Sequence, residues 1–170
     1  MNIEIKAKCS NHEKIRKILK KKNANFLGID HQEDTYFNVK YGRLKLREGD
    51  IENNLVYYQR ENKSGPKESD FMLFPVKKDS SLKLLLKKSL GILVIVKKVR
   101  EIYYLDNVKI QLDNVKGLGK FMEIEVDDKN GKIKKAKAFE QCNYYMNLFG
   151  IKKEDLISVS NSDLLLKKKM

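Results

Sequence analysis

The chain has 170 residues, 41% hydrophobic and 35% charged, which suits one domain spanning residues 1–170 with a core of its own. No apolar run approaches the roughly 18 residues of a membrane span, and no signal-peptide pattern precedes Ile3. Only two cysteines (Cys9, Cys142) and two histidines (His12, His31) occur, with no C-x-x-C spacing. That argues against a zinc site, a disulfide framework or a Ser-His-Asp triad, and fits a reducing cytoplasm.

The formal net charge is +13, but only five of the 36 basic residues are arginine, and the lysine runs Lys20–Lys22 and Lys167–Lys169 read as solvated surface. Four of the five arginines (Arg43, Arg47, Arg60, Arg100) fall in segments that read as strands. The rigid guanidinium fork suits paired contacts with phosphate or carboxylate. Anions are therefore expected on strands, and nucleic acid is not the expected partner.

In chain order, Asn2–Lys8 alternates Ile3, Ile5 and Ala7 with polar residues, the period of a strand. Ser10-Asn11-His12-Glu13 has the spacing of a capping box, and Ile15, Ile18 and Leu19 place a helix after it, with His12 at its start. His31 reads as loop. Strands follow at Asp34–Val39 and Arg43–Arg47, joined at Tyr41-Gly42, and at Asn54–Arg60 and Asp70–Val76, joined by a loop that contains Gly65-Pro66, Lys67 and Ser69. Ser80 or Ser81 caps an apolar helix that ends at Gly91. A long strand over Leu93–Tyr104 turns at Asp106-Asn107 and returns over Val108–Asp113, and a further strand covers Lys120–Asp127. A helix near Ile133–Leu148 stops at Gly150, with Cys142, Tyr145 and Met146 expected in the core, and a short tail closes the chain. Eight strands, nearly all in hairpins or around a helix, make an antiparallel α+β protein, and eight such strands can close into a barrel that holds one small ligand.

The polar faces sort by strand. Glu4 and Lys6 share a face, as do Lys45 and Arg47, Tyr58 and Arg60, Lys98 and Arg100, Lys109, Gln111 and Asp113, and Glu123 and Glu125. A sheet whose polar face merely meets water is the ordinary alternative. Segregation of bases and acids onto different strands argues against it, because like charges on neighbouring strands repel unless an ion of opposite sign lies among them. Two carboxylates two residues apart and a third on another strand suit a hard divalent cation such as Mg²⁺ or Mn²⁺. Ranks of Lys and Arg suit the phosphates that such a metal bridges.

Five segments follow one another in a familiar order: Asn2-Ile3-Glu4-Ile5-Lys6 (a near-ExExK start), QEDTYFNVKYGRLKLRE, YYQRENKSGPKESD, KKVREIYY and IQLDNVKGLGKFMEIEV. Over residues 2 to 127 they resemble the CYTH superfamily, the triphosphate tunnel metalloenzymes, which include class IV adenylyl cyclases and thiamine triphosphatases. SNSDLL resembles the closing segment of that family. The resemblance implies an eight-stranded antiparallel barrel with surrounding helices and charged faces turned inward to a tunnel. It implies that Glu4, Glu123 and Glu125 hold metal, with Asp113 as a further acid. Lys6, Lys45, Arg47, Arg60, Lys98 and Arg100 match the residues that grip the triphosphate. Gln32, Asp34 and Tyr36, the GPKES loop and LDNVKGLG look more like the cyclase branch, in which a homodimer is also expected. Asn2 stands where the family usually carries glutamate, so one metal ligand loses its charge.

Three activities remain open on these residues. The first is an adenylyl cyclase-like conversion of ATP to cyclic AMP and pyrophosphate. The second is hydrolysis of an inorganic, thiamine or nucleoside triphosphate, in which Tyr36 matches a tyrosine that helps place the attacking water; Lys6, Tyr36 and Arg60 are the catalytic candidates that the resemblance implies for the enzyme. Arg60 stands where a lysine would be the better base, since arginine stays protonated. The third is a non-catalytic module that binds polyphosphate or nucleotide.

Overall fold

The structure, a computed structural model, describes residues 2–59, 62–128 and 131–170. Its eight strands are β1 (Asn2–Lys8), β2 (Asn25–Phe37), β3 (Arg43–Glu48), β4 (Asn54–Gln59), β5 (Lys67–Pro75), β6 (Ile92–Leu105), β7 (Val108–Val115) and β8 (Gly119–Asp127). Four helices accompany them: α1 (His12–Lys21), α2 (Leu82–Leu90), α3 (Lys135–Leu148) and α4 (Asn161–Lys169). The strands close into an antiparallel barrel in the order β1-β5-β4-β3-β2-β6-β7-β8, as the eight-stranded α+β reading requires.

Alternation decides which residues face where. Ile3, Ile5, Ile110, Leu112, Met122, Ile124 and Val126 point outward and are buried against Ile15 and Leu19 of α1 and Ala138 and Cys142 of α3. The main apolar core thus lies outside the barrel, beneath two helices, with Tyr145 and Met146 packed at its edge. A second apolar cluster lies at one end of the barrel. There Tyr36, Tyr58, Val94, Val96, Val115 and Phe121 meet Leu164, Leu165 and Leu166 of α4. Lys168 donates to the Gly117 carbonyl at 2.8 Å, and Arg43 donates to Asp163 at 2.8 Å, fastening α4 over that end.

Several local expectations are corrected. The cap of α1 is Asn11, whose side chain accepts from Lys14 N, rather than Ser10. His31 lies on a strand, because β2 begins at Asn25, nine residues before the expected start. Its inward positions are Gly28, Asp30, Gln32 and Asp34, which offer no apolar alternation to read. Lys67 and Ser69 open β5 and are buried, not looped into solvent. Of the adjacent tyrosines, Tyr58 faces inward, while Tyr57 packs over Gly42, where an added Cβ would lie 2.8 Å from its hydroxyl.

Candidate functional site

The inward faces enclose a cavity of about 180 Å³. β1 supplies Asn2, Glu4 and Lys6, β3 supplies Lys45 and Arg47, β6 supplies Lys98 and Arg100, β7 supplies Lys109, and β8 supplies Glu123 and Glu125. Val56, Tyr58, Phe71 and Leu73 of β4 and β5 form an apolar wall, and Tyr36, Ser160 and Asn161 lie toward the end that α4 covers.

Two buried aspartates brace the arginines from behind. Arg47 Nε and Nη2 each donate to Asp34 at 2.8 Å, and Lys45 Nζ donates to the same carboxylate at 3.1 Å. Arg100 Nε and Nη2 each donate to Asp113 at 2.6 Å, Nη2 also reaches Glu123 at 3.0 Å, and Nη1 bonds Gln111. Such bidentate pairs fix the plane of each guanidinium and leave it presented in one orientation. Burial opposes ionisation of Asp34, but Arg47, Lys45 and Lys98 outweigh it and hold the carboxyl well below its ordinary range. Burial likewise opposes ionisation of Asp113, and Arg100 and Lys98 hold its pKa down.

Lys98 sits between these two pairs, 3.7 Å from both Asp34 and Asp113. Burial, then the charges of Arg100 and Arg47, bring its pKa down to about 7, with the two aspartates offsetting only part of the effect. Lys6 bonds Asn161 and lies 3.5 Å from Glu123, and burial lowers its pKa despite that neighbour. Tyr36 lies beside the hydroxyls of Tyr58 and Ser162, and burial raises its pKa, so the phenol is protonated at neutral pH.

The acids lie along adjoining strands. Glu4 is in direct cross-strand register with Glu125, and Lys6 with Glu123. Lys109 of β7 stands opposite Glu125 on its other side, and the oxygen donors of these acids suit a hard divalent ion. The donor chemistry of Glu4 and Glu125, with Glu123 beside them, therefore fits Mg²⁺ or Mn²⁺. Among the described residues, no three His, Cys, Asp or Glu side chains already stand close enough to hold a metal, since Glu123 is drawn to Lys6 and Arg100. Asn2 lines the same cavity and adds a neutral carbonyl oxygen.

A family model for the CYTH domain matches residues 1–158. The chain belongs to the CYTH domain family. A Methanocaldococcus jannaschii protein provisionally named an adenylate cyclase is 27% identical over 96% of this chain and 98% of its own length. A solved Pyrococcus horikoshii structure is 26% identical, covers 96% of this chain and 99% of that one, and superposes with a TM-score of 0.81. A Hippeastrum protein, provisionally an adenylyl cyclase and described as having a dominant triphosphatase activity, shares the fold at TM-score 0.60, with 15% identity over 99% and 96% of the two chains.

Within this CYTH domain, Lys6, Tyr36, Lys45, Arg47, Lys98, Arg100, Glu4, Glu123 and Glu125 all line one cavity. Arg60 lies outside the described residues. Asp113 is on the inward face yet does not reach the cavity. It is 0% exposed and both its oxygens are taken by Arg100, so the structure places it as a brace and not as a metal-facing acid. The sequence reading missed Glu52, Asn54, Ser160 and Asn161, which also line the cavity. For the last two a signal existed: Ser160-x-x-Asp163 has capping-box spacing and does cap α4. Among the described residues, no helix is long and apolar enough to cross a membrane.

Proposed function

We propose that this CYTH domain is a divalent-metal-dependent enzyme that acts on a triphosphate held in the barrel, by an adenylyl cyclase-like reaction. The observation that carries the reading is the convergence of Lys6, Lys45, Arg47, Lys98, Arg100 and Lys109 on a single cavity with Glu4, Glu123 and Glu125 along one side. These cations are held by carboxylates along the same walls, and a polyanion that brings a divalent cation is the ligand that matches both sets of charge. Glu4, Glu125 and Glu123 would hold Mg²⁺ or Mn²⁺, which supplies charge neutralisation of the phosphate oxygens.

The chain's own groups do the positioning. Arg47 and Arg100, fixed by Asp34 and Asp113, hold non-bridging oxygens in a set orientation, and Lys6, Lys45 and Lys98 add point charges. In the cyclase reaction the ribose 3′-oxygen attacks the α-phosphorus, its proton is lost, and the α–β bridging oxygen departs with pyrophosphate. Alignment and electrostatic stabilisation are the contributions that these side chains can make. The archaeal relative that is provisionally named an adenylate cyclase supports this choice.

A second reading, triphosphate hydrolysis, is favoured by one feature. Tyr36, Tyr58 and Ser162 form a hydroxyl cluster toward the covered end of the cavity, where the terminal phosphate of an inserted chain would lie and where a water could be oriented. The protein described as having a dominant triphosphatase activity shares this fold.

Product analysis separates the two. Purified protein is given ATP, thiamine triphosphate and tripolyphosphate in turn with Mg²⁺ or Mn²⁺. Cyclic AMP with pyrophosphate is the expected outcome. Inorganic phosphate as the sole product would establish the second reading, and intact substrate under every condition would remove both.

A further inference from the structure

The two ends of the barrel differ, and the difference bears on what the site accepts. The end that contains residues 38–42 and 116–118 is covered by α4. The other end carries the starts of β1, β4 and β7 and the ends of β3, β5 and β8, so the turn 49–53 between β3 and β4 stands at this open mouth.

That turn is built to hold one carboxylate. Asp30, wholly buried on β2, accepts hydrogen bonds from the backbone amides of Asp50 at 2.6 Å, Ile51 at 3.0 Å and Glu52 at 3.0 Å. Asn53 closes the turn onto Gly49 through both its amide oxygen and its amide nitrogen. Gly49 is required by close approach: a Cβ there would lie 2.5 Å from Asp30 Oδ1. The product of this scaffold is Glu52, whose side chain points into the cavity. It accepts from Arg47 Nη1 at 2.9 Å and Gln32 Nε2 at 3.0 Å, and bonds Lys109. β7 lies across the barrel from β3 and β4, so the Glu52–Lys109 pair spans the mouth from one wall to the other. Burial opposes the charge on Glu52, but Lys109, Arg47 and Arg100 outweigh it and keep the group ionised.

Asp34 and Asp113 meet their cations from behind the cavity wall, whereas Glu52 meets Arg47 and Lys109 from inside the cavity, on the path an anion would take. With the far end covered by α4, any continuation of a bound triphosphate leaves through this mouth. A fourth phosphate would have to displace Glu52 or lie against its charge. A neutral continuation meets no such obstacle, because Val56 and Leu73 form an apolar lip there and Leu73 is 54% exposed.

We propose that Glu52 is a specificity residue which rejects further phosphates at the mouth and admits a triphosphate that ends in a neutral organic group. The inference rests on the cavity being a triphosphate site. Wild type, Glu52→Gln and Gly49→Ala, each verified by a cooperative melting transition, are titrated calorimetrically with tripolyphosphate, a longer linear polyphosphate of defined length, and ATP. Both variants are expected to bind the longer polyphosphate about tenfold or more tightly than wild type, equivalent to about 1.4 kcal/mol. Tripolyphosphate and ATP also draw on Arg47, whose Nη1 Glu52 occupies, so they should gain too, but by no more than about threefold, under 1 kcal/mol. An equal gain for all three anions, or no gain in Glu52→Gln, overturns the proposal while leaving the triphosphate site intact. Failure of wild type to bind tripolyphosphate at all would instead remove the site assignment on which it rests.

Discussion

The two faces of β7 and β8 are built from opposite chemistry. Outward, Ile110, Leu112, Met122 and Ile124 are each no more than 1% exposed and pack under α1 and α3. Inward, Gln111, Asp113 and Glu123 belong to a network of charges around Arg100. The outer face holds the fold through apolar burial, which is non-directional and tolerant of shape-conserving change. The inner face is directional, and its charges are worth keeping only because each is partnered. The candidate site therefore lies on a surface where removing the main partner of a buried charge costs stability.

The largest expected effect tests that coupling. Arg100→Ala leaves the wholly buried Asp113 without its bidentate partner, which costs about 3–5 kcal/mol of stability and also removes a phosphate contact. Ile124→Ala on the outer face costs about 2–5 kcal/mol but should leave anion affinity of the folded protein unchanged. Thermal unfolding and tripolyphosphate titration of both variants check the contrast, and an Arg100→Ala protein as stable as wild type would break it.

A smaller effect concerns pH. Lys98 has its pKa lowered to about 7, by burial first and then by Arg100 and Arg47. Below that pH it is already charged. Above it the ammonium must regain a proton to meet a polyanion, so affinity falls as pH rises, by about tenfold per unit. The loss attributable to Lys98 is the part that disappears in Lys98→Met, measured with the same ligand and buffers. A Lys98→Met profile as steep as that of wild type would contradict the assignment. Smaller still is Asn2→Glu, which adds a carboxylate beside Glu4 at the cavity wall. It should strengthen Mn²⁺ binding by about fivefold, or about 1 kcal/mol, as read by metal titration.

Much of this contrast was legible before any coordinates. Strict period-2 alternation in β1, β7 and β8 put Glu4, Lys6, Glu123 and Glu125 on one side and isoleucines on the other. Alternation gives the face, however, and not the depth. Asp113 shares the inward face with cavity residues but lies behind Arg100, and nothing local to its sequence distinguishes it from Glu123. The start of β2 was hidden because its inward residues are polar or glycine. Glu52 was invisible for another reason. It lies in a turn, its position is set by Asp30 twenty-two residues earlier, and long-range hydrogen bonding leaves no periodic mark.

The claim on which the rest depends is that the charged interior binds a triphosphate. Lys45→Met tests it cleanly, because Asp34 keeps both hydrogen bonds from Arg47 after the change. Calorimetric titration with tripolyphosphate in the presence of Mn²⁺ should give saturable one-to-one binding to wild type. The variant, folded and destabilised by no more than about 3 kcal/mol through its lost bond to Asp34, should bind about tenfold or more weakly. Equal affinity in the two proteins, or no saturable binding in either, would contradict the account.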